Sequence, residues 1–329
     1  MSSIKTPEKI KQLSRFYLHS PADISQSYVA WAEKLQVEEG ITYGCILDKY
    51  ITPLRPGNTM AVVSRPGHGK SSFMAYLVMR EARAIMKRGA SREECIYFVG
   101  WDQPAEETDA FFQANGNYTS SDLAWGRADI DLIRKNAVKR VHLPIYHIAY
   151  SQRHAGIKRP PAPKMSDVYD LIHYNTYERN LKPMLIVLDY IQKIPVRAGM
   201  KRVDAVTEAT FQATELASRV GCPLLIGVQA NRDVDDKSMP VPSLASAQWA
   251  SAIEQEADKQ IGLWRPRKTH NDIDHPTISV GGRDYVNDDN LFVIKLLKQR
   301  FEQGYGVWAV RFEPQTLRLH DYVVEELHL

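Results

Sequence analysis

The sequence has few cysteines and no long apolar run. Its three cysteines, Cys45, Cys95 and Cys222, are far apart and form no Cys-x-x-Cys pair. This pattern argues against structural zinc and favours small core residues in a reduced, cytoplasmic protein. No apolar stretch approaches the ~20 residues of a membrane span, and the polar start at residues 1–5 is unlike a signal peptide.

The sequence also lacks a marked excess of one charge. Lysine and arginine number 42 against 39 aspartate and glutamate residues, so a surface for nucleic acid has to be a local patch. The 329 residues are 44% hydrophobic, which is enough for one large domain or two modest ones. Composition alone describes an ordinary globular protein and identifies no partner.

Apolar runs bounded by Gly, Pro or polar residues alternate with segments of helical spacing. This alternation predicts an α/β fold with a mostly parallel central sheet flanked by helices. The last three runs have short connections and predict an antiparallel extension. The runs lie at 60–63, 95–99, 144–148, 184–188 and 223–228, and then at 260–264, 291–297 and 306–312.

The first forty residues have a different character. Ser20 and Asp23 form a capping-box pattern with Pro21 at the first helical position, which predicts a helix. An apolar stripe follows, and it packs either on its own domain or on a neighbouring subunit. We therefore expect an N-terminal segment at 1–39 and a larger domain at 40–329. The stripe consists of Ile24, Tyr28, Trp31, Ala32 and Leu35.

A glycine-containing loop between the run at 60–63 and the helical segment at 73–78 indicates a phosphate-binding loop. Glycines let backbone N–H groups surround phosphate oxygens, and the helix N-terminus adds positive potential. Ser64 stands where the usual pattern has Gly, so the loop is a variant. The residues predicted to bind ATP are Arg65, Pro66, Gly67, His68, Gly69, Lys70, Ser71 and Ser72.

Two residues of the loop and one distant carboxylate predict a Mg²⁺–phosphate site. Lys70 would face the β- and γ-phosphates, and the Ser71 hydroxyl would bind Mg²⁺. The run at 184–188 ends in Asp189, a carboxylate suited to hold Mg²⁺ beside a phosphate loop. Two such features at strand ends make a chance match improbable.

The order of several short motifs resembles the motor domain of the DnaB-type replicative helicases, which are RecA-like hexameric ATPases. The resemblance covers residues 40–322. It implies a RecA-like P-loop NTPase core, ATP-driven movement on single-stranded DNA, and a homo-oligomeric ring with each nucleotide between two subunits. The motifs are Arg65-Pro66-x-x-Gly69-Lys70-Ser71, Asp189-Tyr190-x-Gln192, Gln229-Ala230-Asn231-Arg232, Ile253-Glu254-Gln255-x-Ala257-Asp258 and Lys298-Gln299-Arg300.

The resemblance implies further residue roles. Gln229 matches the sensor of the γ-phosphate, while Lys298 and Arg300 match the basic pair that reaches into the neighbour's site. Arg300 would be the arginine finger, the residue that stabilises charge on the transferred phosphoryl group.

The family usually has Glu after its second strand to orient the attacking water, and this chain has Asp102. Aspartate is one methylene shorter, and a displacement of ~1 Å can reduce a rate about a hundredfold. Slow hydrolysis is therefore expected. Glu106 or Glu107 could substitute, although both are expected to face solvent.

The family's members typically carry a separate N-terminal domain that contacts primase and a loader, and we expect this domain to be missing because fewer than fifty residues precede the motor. We expect a minimal motor of the kind encoded by a phage, plasmid or mobile element, with primase or a loader as further partners. The helix at the stripe matches the family's linker helix, which favours contact with a neighbouring subunit.

The DNA-facing elements are predicted in the loops that follow the strands ending at Asp189 and Gln229. Arg197, Lys201 and Arg202 follow the first strand, whereas Arg232 and Lys237 follow the second. Lys and Arg side chains attract backbone phosphates without reading the sequence. Three aspartates oppose that attraction in the second loop, and the basic, proline-rich stretch at 151–164 is the next candidate.

Two alternatives remain on the sequence alone. A RecA-fold ATPase could bind DNA or a partner as a nucleotide-controlled switch without translocating, which Asp102 would allow. A strand-exchange recombinase or circadian-type ATPase shares the fold but fits the Asp189-Tyr190-x-Gln192 motif less well.

Overall fold

The structure is a computed structural model, and it describes residues 6–113, 118–154, 156–158, 161–234, 239–246, 251–300 and 305–322. It divides into two compact units, the first ending at Gly40 and the second beginning at Ile41. The first unit contains helices α1 (Pro7–Tyr17) and α2 (Pro21–Val37).

Helix α2 begins at the predicted capping box. The Ser20 hydroxyl accepts the Asp23 backbone N–H at 3.2 Å, and the Asp23 carboxylate accepts the Ser20 backbone N–H at 2.9 Å. Each bond satisfies a donor that the helix itself leaves unpaired. Ile24, Tyr28 and Trp31 of the apolar stripe are exposed. Helix α1 was not predicted from the sequence.

The eleven strands of the described residues belong to the second unit. Their bounds are β1 (Thr59–Ser64), β2 (Glu94–Gly100), β3 (Ile145–Ile148), β4 (Lys182–Asp189), β5 (Leu224–Gln229), β6 (Lys259–Trp264), β7 (Thr277–Val280), β8 (Arg283–Val286), β9 (Leu291–Gln299), β10 (Gly306–Glu313) and β11 (Arg318–Asp321).

Nine of these strands form one sheet in the order β11-β10-β9-β6-β1-β5-β4-β2-β3. Strands β6, β1, β5, β4, β2 and β3 run parallel, and β9, β10 and β11 continue the sheet antiparallel. The predicted α/β class with an antiparallel extension is confirmed. One detail is wrong, because β6 belongs to the parallel part through its pairing with β1. The hairpin of β7 and β8 and the short strand β11 were not predicted.

Helices cover both faces of this sheet, as a mostly parallel sheet requires. Side chains of β1 alternate, so Met60 and Val62 pack in the core that includes α3, whereas Ala61 and Val63 pack in the core that includes α7 and α8. The helices are α3 (Lys70–Lys87), α4 (Ala105–Gln113), α5 (Ser120–Ala124), α6 (Ile130–Arg140), α7 (Met165–Tyr177), α8 (Arg202–Val220) and α9 (Ser251–Glu256).

The cysteines are free thiols. Cys95 and Cys222 are buried, as expected for small core residues, and Cys45 is partly buried. Among the described residues, no helix combines the length and the apolar character needed to cross a membrane.

A partly buried ionic cluster joins α4, α6 and the edge strand β3. The Asp109 carboxylate lies 2.6 Å from Nη2 of Arg140 and 2.8 Å from Nε2 of His147, and the Gln113 amide donates to it at 2.7 Å. Burial by itself would raise the pKa of Asp109. The hydrogen bonds from His147 and Arg140 and the charge of Arg140 outweigh that effect and lower its pKa to about 2.

Replacing Asp109 with Asn should lower the free energy of unfolding at pH 7 by about 2 kcal/mol. This value follows from the fall in pKa from 3.8 to about 2, because one pKa unit corresponds to about 1.4 kcal/mol. The contribution is complete above the ordinary pKa and is lost as the pH falls through about 2. Urea unfolding from pH 7 to acid should therefore show the two proteins converging.

The matched control is Asp131→Asn, which removes an exposed carboxylate paired with Arg134 on α6. Exposed pairs contribute little, so this variant should unfold like the wild type. A stability difference for Asp109→Asn that stays constant down to pH 3 would contradict the assignment.

Candidate nucleotide site

The carboxyl ends of three adjacent parallel strands meet at one edge of the sheet. Strand β1 ends at Ser64, β5 at Gln229 and β4 at Asp189, and a cleft of about 370 Å³ opens there. This volume is in the usual range for a small-molecule site. The predicted site residues that line it are Arg65, Pro66, Gly67, Gly69, Lys70, Ser71, Ser72, Asp102, Asp189 and Gln229.

The shape of the loop requires glycine at position 69. Gly69 has a φ of 84° directly before α3, and a Cβ there would lie 2.4 Å from the ring of Phe292. Two contacts fix the rest of the loop. Nη1 of Arg65 donates to the Ala230 carbonyl at 3.0 Å, and Nδ1 of His68 accepts the Arg265 backbone N–H at 3.1 Å.

His68 was predicted to bind ATP as part of the phosphate loop, and this stays a prediction. The residue is buried, and it is not among the described residues that line the cleft. Its ring holds the loop against the end of β6. No sequence motif indicates this contact, because the partner is a backbone N–H nearly 200 residues away.

Lys70 and Asp189 form an ion pair at the floor of the cleft. Nζ of Lys70 lies 2.5 Å from Oδ1 of Asp189, and each side chain is only 12% exposed. Gly227 lies beside the pair, and a Cβ there would make tight contacts, 2.9 Å from Cε of Met74, 3.1 Å from that Nζ and 3.2 Å from that Oδ1. The two residues predicted to hold phosphate and Mg²⁺ therefore meet within one chain.

These residues fit a Mg²⁺–nucleotide complex. The loop offers a cradle without side chains at Gly67 and Gly69, together with a cation at Lys70. Ser71 and Asp189 supply the oxygen ligands that Mg²⁺ prefers.

Asp102 lies at the rim of the cleft in the loop between β2 and α4. Its Oδ1 is 2.9 Å from Nζ of Lys193, and the two side chains are 44% and 47% exposed. Glu106 has other partners, since it accepts hydrogen bonds from the Ser151 hydroxyl and the Gln152 backbone N–H. Neither Glu106 nor Glu107 is among the described residues that line this cleft.

Gln229 is linked to the end of β4. The Gln192 side chain donates to the Gln229 carbonyl and accepts its backbone N–H, both at 3.2 Å. This two-way amide pair joins the strand that ends in the predicted metal ligand to the strand that ends in the predicted sensor.

Lys298 and Arg300 lie at the edge of the sheet where β1 begins, opposite to the edge that carries the cleft. Arg300 pairs with Asp258 at 3.0 Å, and the same carboxylate accepts the backbone N–H of Thr59, the first residue of β1. From Thr59 to Ser64 the strand spans about 17 Å, at about 3.3 Å per residue. Arg300 is therefore far from the cleft of its own chain, and its side chain is 56% exposed.

Lys298 is held at that same end of the sheet. Its Nζ donates to the carbonyls of Glu254 and Gln255. Burial and the neighbouring charge of Arg300 lower its pKa. The predicted catalytic residues thus form two groups within one chain, with Asp102 and Gln229 at the cleft and the basic pair at the other end.

The predicted DNA-binding residues have mixed surroundings. Arg197 pairs with Glu208 at 2.9 Å, and Arg202 donates to the Ile194 carbonyl, so both support the loop before α8. Lys201 and Arg232 are exposed. Lys237 lies outside the described residues.

Sequence reasoning missed several residues of the cleft. Arg265 and Pro314 line it from beyond β6 and from the turn between β10 and β11. Arg265 directly follows the predicted strand at 260–264, which was a usable signal, whereas Pro314 lies in a turn without a motif. Thr108, Gln103 and Tyr190 also line the cleft.

The phosphate loop joins a central strand to α3, and a carboxylate ends a strand two positions away in the sheet, as in RecA-like P-loop NTPases. A family model described as DnaB-like helicase C terminal domain matches residues 40–321. The chain belongs to that family.

Individual relatives agree with this assignment. The "Replicative DNA helicase DnaB" of Mycoplasma pneumoniae is 21% identical over 286 residues, which cover 84% of this chain and 56% of that protein. The chain thus spans about half the length of the curated relatives it matches.

Two solved structures share the fold, each with a TM-score of 0.70. A DnaB-like replicative helicase studied with its interactions with primase is 13% identical, and the match covers 96% of this chain and 71% of that one. The ATPase domain of a protein named G40P is 14% identical, and the match covers 92% of this chain and all of that one.

Replacing Lys70 with Ala should weaken ATP–Mg²⁺ binding by roughly 10- to 100-fold, because a hydrogen bond to a charged group contributes about 1.5–3 kcal/mol. Titration of a fluorescent ATP analogue measures the change. The control is Lys87→Ala, which removes the lysine at the other end of the same helix α3 and should bind like the wild type. Undiminished affinity in a folded Lys70→Ala protein would exclude the phosphate-loop assignment.

Proposed function

We propose that this chain is an ATP-hydrolysing DNA helicase motor of the replicative DnaB type. The observation that carries the proposal is the Lys70–Asp189 pair beside a phosphate loop in a member of this family. Lys70 would hold the phosphates of ATP, and Ser71 and Asp189 would hold Mg²⁺. When bound, Mg²⁺ would neutralise charge on the phosphates. Asp102 accepts a proton from the attacking water, and Gln229 senses the γ-phosphate.

The active form is proposed to be a homo-oligomer, with a hexameric ring as the expected arrangement. Arg300 is exposed and lies about one strand length from its own cleft, which favours a role in a neighbour's cleft. Lys298, two residues before Arg300, completes the basic pair that is proposed to reach into the neighbour's cleft. We further propose that the exposed stripe of α2 contacts a neighbouring subunit.

Single-stranded DNA is the proposed track. The basic loop residues Arg197, Lys201 and Arg202 follow β4, and Arg232 follows β5, so all four come after strands that end at the cleft. Primase or a loader is a further proposed partner, since one structure of the same fold is described with primase. The cytoplasmic location stays a prediction.

A nucleotide-controlled switch that binds DNA without translocating is the second candidate. Asp102 favours it, because the shorter carboxylate predicts slow hydrolysis. Stimulation by DNA separates the two functions, since a motor must couple hydrolysis to its track.

Single-stranded DNA should accelerate ATP hydrolysis by the wild type, as measured by phosphate release. Replacing Arg197 and Lys201 with Ala should reduce this stimulation and flatten its salt dependence, since fewer phosphates are neutralised. Arg202 is retained because it holds the Ile194 carbonyl, whereas the Arg197–Glu208 pair is exposed and contributes little to the stability of the loop. The control removes two exposed charges from α3, at Arg83 and Lys87. Hydrolysis indifferent to DNA would favour the switch.

Arg300→Ala should bind ATP normally yet hydrolyse it at least ~10³-fold more slowly, the effect attached to arginine fingers. Lys70→Ala retains its finger but lacks a working cleft. Mixing the two inactive proteins should restore partial hydrolysis wherever an intact cleft faces an intact finger. If subunits exchange and no activity returns, Arg300 does not act in a neighbour's site.

A further inference from the structure

Lys193 occupies a fixed position next to the cleft although no motif singled it out. It ends the short 3₁₀ turn Ile191–Lys193 that follows β4, and its backbone N–H donates to the Tyr190 carbonyl at 3.0 Å. Ile191 and Gln192 are buried, and Gln192 is bonded to Gln229. The backbone from which the Lys193 side chain extends is therefore well anchored.

Asp102 lacks such an anchor. It lies in an irregular loop and its side chain is nearly half exposed, so its carboxylate has rotational freedom that a positioned base must lose. The ammonium group of Lys193, 2.9 Å from Oδ1, restricts that freedom. The same ammonium lies 5.8 Å from the centroid of the Tyr190 ring, a cation–π contact that limits its own movement.

We propose that Lys193 is a positioning residue that orients Asp102 for ATP hydrolysis. The inference rests on the proposed function, in which Asp102 accepts the water proton. Lys193 contacts Oδ1 of Asp102, and Oδ2 is left as the oxygen that accepts the proton of the attacking water. An aspartate that is one methylene short thereby gains a fixed orientation from a lysine on the neighbouring strand end.

The ion pair also connects the base to the proposed DNA loop. Three residues separate Lys193 from Asp189 on one side, and three separate it from Arg197 on the other. A movement of the loop on DNA would reach Asp102 through Lys193. The effect of Lys193 should therefore be largest on the DNA-stimulated rate.

A double-mutant cycle tests the proposal. Lys193→Met should lower kcat for DNA-stimulated ATP hydrolysis about tenfold, less than the roughly hundredfold attached to a displacement of ~1 Å, and leave KM for ATP within about twofold. Lys193→Arg should recover most of kcat. In an Asp102→Asn background, Lys193→Met should have no further effect, because the group that it positions is already lost.

The melting temperature and a matched control variant exclude a merely structural role. Ion pairs of this exposure contribute little to stability, so Lys193→Met should keep the wild-type melting temperature. The matched control is Lys182→Met, which removes an exposed lysine at the other end of β4 and should hydrolyse ATP like the wild type.

The ion pair can also be measured without ATP. The hydrogen bond to Asp102 and the nearby Tyr190 raise the pKa of Lys193. Amine labelling of Lys193 near pH 9 should therefore be faster in Asp102→Asn than in the wild type.

The outcomes separate the two proposals. An equal loss from Lys193→Met with and without Asp102, or a rate increase, would overturn the positioning role while the motor function stands. Unchanged labelling of Lys193 in Asp102→Asn would also count against the ion pair. If the wild type hydrolyses no ATP under any condition, the proposed function fails and the positioning role falls with it.

Discussion

The ion pair between Lys70 and Asp189 is the interaction on which the site depends. The two residues are 119 positions apart, and each side chain is largely withdrawn from water. A charge in such a place needs an opposite charge or a bound ion, because desolvation without compensation is strongly unfavourable. The placement of β5 between β1 and β4 brings the partners together, and Gly227 on β5 leaves the space in which they meet.

Much of this arrangement was predictable, for a physical reason. Strands buried on both faces are uninterrupted apolar runs, so the positions of β1, β2, β4 and β5 followed from the sequence, and polar residues at their ends marked the cleft. Direction is not encoded in such a run, and β6 was therefore assigned to the antiparallel part. Strands β7, β8 and β11 escaped prediction because they are short and partly exposed.

The residues of the cleft that were not predicted are distant in sequence from the residues that they contact. Arg265 reaches the cleft because β6 lies parallel to β1, and Pro314 reaches it because the antiparallel strands continue the sheet beside β6. Lys193 had no motif to mark it, and its relation to Asp102 depends on the adjacency of β2 and β4 in the sheet. A motif records residues near one another along the chain, whereas these residues are neighbours only after the sheet has formed.

The separation of Arg300 from the cleft has a consequence for symmetry. A twofold dimer buries the same patch on both subunits, so the cleft and Arg300 could complete each other in such a dimer only if both lay within that one patch. If the two features lie in different patches, as the proposed ring requires, subunits that complete each other's sites associate head to tail. Repetition of that contact closes into a ring when the rotation between subunits divides a full turn, and otherwise continues as a helix. The cleft and Arg300 lie at opposite ends of strand β1, so this strand defines the direction in which subunits would follow one another in the proposed ring.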